Sequence, residues 1–185
     1  MDLAHHLRIQ ARANRLANFR LHAAMAALPP DAFQAPRTGF FPSLAATLNH
    51  VLEVDQYYIG ALLGEAGLAR HRQRFLPVDT LAALATRQQA SDERLIAFCD
   101  GLDAAACAAI VDMPRSDHVQ RDHASNVLQH LFMHQTHHRG QAHAMLSSTT
   151  LEPPQLDEFL MPSDARYRVA EMAALGWDEA AVYGI

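Results

Sequence analysis

Residues 127–146 read VLQHLFMHQTHHRGQAHAML. His130, His134, His137, His138 and His143 all fall in this run, five of the twelve histidines in the chain. Its apolar residues, Val127, Leu128, Leu131, Phe132, Ala142, Met145 and Leu146, recur at the spacing of one face of an α-helix. An amphipathic helix packs that face inward. When the helix is also dense in imidazole, the same packing carries metal-ligating side chains toward the interior. The rest of the chain is read for what could pack against this helix and complete a site.

Residues four apart on an α-helix stand about 40° apart, so two imidazoles at that spacing can share one cation. His130 with His134 and His134 with His138 qualify, and His134 with His137 qualifies less well. The apolar face is centred near Leu131, Gln135 and Ala142. His138 lies about 40° from that centre and His134 about 80° on a 3.6-residue turn. His130 and His137 stand farther toward the flank, and His143 points to the other side. His134 and His138 are therefore the pair expected to face the interior. A catalytic zinc-like ion usually takes a third protein ligand and keeps an open position. His50, alone among histidines on the second predicted helix, is the candidate for it. Composition and spacing leave open the alternative of surface and internally satisfied histidines. Neither Glu-x-x-His nor His-Glu-x-x-His occurs in the chain, which argues against a di-iron carboxylate bundle and a zincin protease.

Upstream, residues 2–28 predict a long helix. Leu7, Ala11, Asn14, Asn18, Leu21, Met25 and Leu28 form its seam, and two asparagines on it need partners from a neighbouring helix or loop. Arg8, Arg12 and Arg15 share a face that reads as solvated. Pro29 and Pro30 end the helix. Residues 31–42 form a loop with Phe40 and Phe41 available to cap the core. Ser43 is the expected N-cap of a second helix running to about Leu63. Asp55 lies on that helix's apolar seam, where a carboxylate needs a histidine ring nitrogen or an arginine. Residues 64–78 read as a solvated connection with a basic cluster at Arg70, Arg72 and Arg74. A third helix follows to about Cys99. A short hairpin is expected from Ala109–Val111 through a turn at Pro114–Asp117 and back to Arg121, and the histidine helix spans about 122–147. Pro153 and Pro154 stop it, Leu156–Leu160 could make one turn, and residues 163–183 predict tail helices broken at Gly176. The fold class is all-α: a four-helix bundle with a hairpin before its last helix, residues 1–162, and a C-terminal helical extension of the same domain, residues 163–185.

At 185 residues and 50% hydrophobic, the chain can bury the core of one domain. A net charge of -5 gives no basic field for nucleic acid. Cys99 and Cys107 predict reduced core thiols rather than a disulfide framework. No apolar signal core or membrane-length run is present, so a cytoplasmic protein without a membrane partner is expected. Alanine-rich faces and the tail offer surface for a homodimer.

FPSLAATLNHVLEVDQYYIGAL (residues 41–62) and LQHLFMHQTHHRGQAHAML (residues 128–146) resemble the DinB family of damage-inducible proteins, grouped with YfiT-like metal-dependent hydrolases. Asn14 and Asn18 in ANRLANFRL and the segment PPQLDEFL (residues 153–160) are similar to further family patterns, although Ala13 replaces the usual aromatic. The resemblance covers about residues 5–160. It implies a four-helix bundle holding a divalent metal, zinc or nickel, on His50, His134 and His138. Asp55 matches a position where the family carries an acid, and with His137 it is expected beside the ligands. The resemblance also implies metal-dependent chemistry of the thiol S-transferase or hydrolase type, with a small-molecule thiol or electrophile as partner. The alternatives are a non-catalytic stress-response protein that senses or sequesters metal, and a metal that merely pins two helices together. No residue stands out as a general base.

Overall fold

A computed structural model describes residues 2–157 and 161–183. The chain runs through α1 (Leu3–Met25), α2 (Leu44–Leu62), a 3-10 turn at Leu68–Arg70, α3 (His71–Arg74), α4 (Leu81–Asp100), α5 (Ala104–Ala108), strands β1 (Ile110–Pro114) and β2 (Val119–His123), α6 (Ala124–Leu146), a second 3-10 turn at Pro162–Tyr167, α7 (Val169–Leu175) and α8 (Glu179–Tyr183). The expected turn over Leu156–Leu160 falls in part on residues 158–160, outside the described residues.

The four long helices form the bundle. Three begin on side-chain caps: Asp2, Ser43 and Thr80 accept from the backbone N–H three residues on, at 2.8, 3.1 and 3.3 Å. α6 has no such cap, because it continues directly from β2. α2 packs on α4 and α6, and α1 packs on the other side of the same two helices. This arrangement sets His50 on α2 against the histidine face of α6. Leu7, Leu95, Leu128 and Leu131 fill one half of the interior, and Leu21, Leu48, Leu84 and Leu146 fill the other. Truncating one such leucine to alanine costs about 2–5 kcal/mol.

The hairpin pairs antiparallel, from Ile110 opposite His123 to Pro114 opposite Val119. Val111 and Met113 face inward onto Tyr57, Ala61 and Val127, and the Tyr57 hydroxyl donates to the Pro114 carbonyl at 2.9 Å. The turn of the hairpin is thereby brought over α2.

The first helix differs from its single-seam reading. Ile9, Ala13, Leu16 and Ala17 form a second buried face, covered by Met172, Val182 and Tyr183 of the tail. Two arginines fasten that cover. Arg20 of α1 donates to Glu171 at 2.6 Å and to the Tyr167 carbonyl at 2.7 Å. Arg168, fully buried, pairs with Glu179 and lies 4.2 Å over the Tyr183 ring. Gly176 ends α7 at φ 67°, the left-handed conformation that favours glycine at a helix C-terminus.

Two further expectations are corrected. Arg8, Arg12 and Arg15 do not form a solvated face. Arg15 is buried, Arg12 pairs with Asp100 at 2.7 Å, and Arg8 donates to the Leu102 carbonyl at 2.6 Å. Residues 64–78 are not merely a solvated connection, since the 3-10 turn and α3 fold back beside α2. Asn49 holds the end of that segment: its amide donates to the Val78 carbonyl at 2.9 Å and accepts from the Val78 N–H at 2.8 Å. Asn49 spends both ends of its amide on this clamp, next to His50. Cys99 and Cys107 are free and buried, and burial pushes the Cys99 thiol up to about 12.

Candidate metal centre

His50 from α2 and His134 and His138 from α6 converge. One ring nitrogen from each lies within 4.8 Å of the others, and the Nε2 atoms of His50 and His134 are 3.1 Å apart. Imidazole nitrogens sharing an ion at about 2.0–2.1 Å stand roughly 3.0–3.4 Å from one another. One pair already has that spacing. The four-residue step brings the rings of His134 and His138 to 4.4 Å between centroids, as the helical period requires.

Electrostatics favours the ligand form of these rings. Burial lowers His50 to about 4, with further lowering from His138 and Arg72. Burial lowers His134 to about 3, with His138 and His50 adding to it. Burial also lowers His138, against the hydrogen bond it donates to Gln141. All three are neutral near pH 7, so their lone pairs need release no proton to bind a cation.

The surroundings orient one of the rings by a hydrogen bond and leave the other two to packing and a longer contact. His138 Nδ1 donates to Gln141 Oε1 at 2.7 Å, which leaves its Nε2 lone pair free. Gln141 in turn donates to His137 Nε2 at 3.1 Å. His137, itself exposed, also packs edge-on against the His138 ring, 4.8 Å between centroids. His50 Nδ1 faces Glu53 Oε2 at 3.9 Å. His134 Nδ1 is buried without a hydrogen-bond partner, and its ring is held between those of His50 and His138. Phe41 covers the cluster, 4.7 Å from the His50 ring and 5.6 Å from His138. Phe41 therefore caps the histidines rather than the apolar core, while Phe40 is 79% exposed. Neutral nitrogen donors, near-ligand spacing and an oriented His138 fit a divalent ion of the zinc type.

Asp55 stands elsewhere. It accepts from Gln88 at 2.7 Å and from Gln135, and among the described residues it bonds neither a histidine nor an arginine. It belongs to a buried polar network in the centre of the bundle. Arg139 donates to Asn14, Asn18 and Gln135. Asn18 and Gln88 both donate to Asp92, at 3.0 Å each. The asparagines on the first seam are explained: both accept from Arg139, and Asn18 links its charge to Asp92 of α4.

His50 and His134 open onto a cleft of about 660 Å³ between α2, α3, the hairpin turn and α6. His71, His130, Tyr57, Tyr58 and Arg115 line it, and the sequence reading assigns a site role to none of these residues. His71 Nε2 lies 2.9 Å from the Glu53 carbonyl. A carbonyl only accepts, so Nε2 carries the proton and a neutral His71 holds its lone pair on Nδ1. Sequence offered no signal for this, because α3 is four residues long and its place is set by the loop around it.

A four-helix bundle with three imidazoles from facing helices defines a class of helical proteins able to hold a metal ion between α2 and α6. The model of the DinB family matches residues 7–170, and the chain belongs to that family. The match extends past residue 160 to the first turn of α7. The crystal structure of a DinB-like protein from Bacillus cereus ATCC 10987 aligns over 75% of this chain and 89% of that one, with a TM-score of 0.57 and 14% identity. At that identity the likeness shows the fold alone. No functionally curated protein matches the sequence. No described helix is long and apolar enough to cross a membrane.

Proposed function

We propose that this protein is a metal-dependent enzyme of the thiol S-transferase or hydrolase type, with zinc or nickel held by His50, His134 and His138. The observation that carries the reading is the cleft beside the cluster. A structural metal is enclosed by its ligands, whereas a catalytic one keeps an open position. Here His50 and His134 line about 660 Å³ of open space. A divalent ion bound there supplies a Lewis acid that lowers the pKa of a thiol or of water. The chain's own residues do the rest. Phe41 shields one side of the cluster from water, and Gln141 fixes the tautomer of His138. His71 lines the same cleft, its ring oriented by the Glu53 carbonyl, and its Nδ1 is the acceptor proposed for the nucleophile's proton.

The test begins with metal analysis of protein purified without a histidine tag. Conjugation of a panel of low-molecular-weight thiols to an electrophile is then followed with and without the metal found. Metal-dependent turnover that falls at least about a hundredfold in His71→Ala, with metal content retained, is the expected result. No turnover across the panel, together with a metal-dependent rise in melting temperature, would favour a metal that only pins α2 to α6.

A further inference from the structure

One wall of the cleft carries a charge that the chemistry at the histidines leaves unused. Arg115 stands in the turn of the β1–β2 hairpin, half-buried. Its guanidinium carbon lies 4.8 Å from the centre of the Tyr57 ring and 5.7 Å from that of Tyr58. Nη2 donates to the Tyr58 hydroxyl at 3.2 Å and to Gln120 Oε1 at 3.0 Å. Both acceptors are neutral. Among the described residues no carboxylate pairs with Arg115, and its Nη1 and Nε make no hydrogen bond. Two aromatic faces and two bonds therefore hold the group in place while two of its nitrogens remain free.

The charge balance of the cleft points the same way. Glu53 is the one acid among the lining residues, and it is shared: Arg72 lies 3.9 Å from it and His50 also 3.9 Å. Arg72 and Arg115 together outnumber it. The three imidazoles are uncharged donors, so a cation on them adds positive charge that no carboxylate ligand offsets. The lining also has an apolar part, with Val54, Leu68 and Pro114 beside the two tyrosines. A stacked arginine held in advance loses little freedom when an anion arrives.

We propose that this cleft binds a small organic carboxylate, with its anionic group on Arg115 and its apolar body along Tyr57, Tyr58, Val54 and Leu68. The same recognition serves a carboxylated thiol and a carboxylated electrophile. The proposal rests on the preceding reading for the chemistry that follows binding, and not for binding itself.

Titration calorimetry on the full chain, metal-free and metal-loaded, uses two probe pairs: phenylacetate against phenylacetamide, and mercaptosuccinate against thioglycerol. Phenylacetate is expected to bind at least about tenfold tighter than its amide in both forms, as a charge-assisted bond to arginine implies. Arg115→Gln removes that preference with helix content and metal content unchanged, and Arg115→Lys keeps part of it. A preference for the acid that appears only within the thiol pair, and is lost in Arg115→Gln, also supports the subsite and assigns the carboxylate to the thiol. Equal binding of acid and neutral partner in both pairs overturns the proposal. So does an unchanged preference in Arg115→Gln, or inorganic phosphate binding as tightly as phenylacetate. If neither thiol distinguishes metal-loaded from metal-free protein while the phenylacetate preference holds, the thiol chemistry fails and the carboxylate subsite stands.

Discussion

On one side of α6, three neutral imidazoles stand beside an open cleft, and the Nδ1 atom of His134 has no partner. On the other side, Arg139 donates to Asn14 and is tied through Asn18 to Asp92 of α4 and through Gln135 to Asp55 of α2. His138 and Arg139 are adjacent in the chain, and α2 and α6 contribute to both regions. The histidine side keeps lone pairs unspent at a half-exposed surface, as a ligand-binding site requires. The arginine side turns its donors and acceptors on one another, as burial of charge requires, although Asn14 Nδ2 and Asp55 Oδ1 are left without a partner. One hundred degrees of rotation per residue is enough to separate the two tasks. The lesson is that burial of a polar residue does not mark function: His138 and Arg139 are about equally buried, at 7% and 8% exposure, yet one is a candidate ligand and the other is the lock.

The sharpest way to break this contrast is at Arg139. Burial lowers its guanidinium to about 10, against the raising influence of Asp92 and Asp55. Arg139→Ala leaves the carboxylate of Asp92, raised only to about 6, without its cation, and urea unfolding at neutral pH is expected to show a loss of about 3–5 kcal/mol. A loss below about 1 kcal/mol would mean that the network is not held by charge. The mirror experiment is His134→Ala. It is expected to lower metal affinity more than about a hundredfold, beyond what removal of an orienting neighbour costs, while metal-free stability changes by about 1 kcal/mol or less. Retention of a full equivalent of metal by that variant would sink the assignment of the site.

A smaller effect tests orientation. Gln141→Ala removes the acceptor of His138 Nδ1 and is expected to weaken metal binding by about tenfold, with unfolding unchanged. Unaltered affinity in a chelator competition would show that packing against Phe41 and His134 suffices to aim the ring.

The smallest effect is a difference of slope with pH. Burial raises the Asp55 carboxyl well above its ordinary range and Asp92 adds to it, against the hydrogen bond from Gln88 and the charge of Arg139. The folded chain thus keeps a proton there that the unfolded chain has released. The associated stability is complete below the unfolded pKa near 3.8 and is lost as pH rises through the raised value. Asp55→Asn cannot titrate. Its melting temperature relative to wild type should therefore increase as pH is raised from about 5 to about 8. The reverse trend would place the ionised carboxylate in the folded state. Burial of His22, its ring lowered to about 4, acts in the opposite sense in both proteins. Its contribution is present above about 6.5 and is lost as pH falls toward 4, so the comparison between variant and wild type isolates Asp55.

Much of this organisation is legible along the chain because it is local. Apolar spacing locates the four long helices, Ser43 marks where the second of them starts, and the angle between His134 and His138 follows from the helical turn. The hairpin is visible in its strand–turn–strand pattern before α6. These readings need only the residues within a few positions of each other. Other features join distant positions: His50 meets His134 across 84 residues, and Arg139 meets Asn14 across 125. No periodicity states which helix lies beside which, so Asp55 and Gln135 could be matched only once α2 was seated on α6. The same holds for His71 and Arg115. Each sits on a short connection with no period of its own, and each enters the cleft because a backbone carbonyl or a pair of tyrosine rings fixes it there. Helical period told which faces point inward; packing between elements selected their partners, because contact energies depend on distances that sequence separation does not encode.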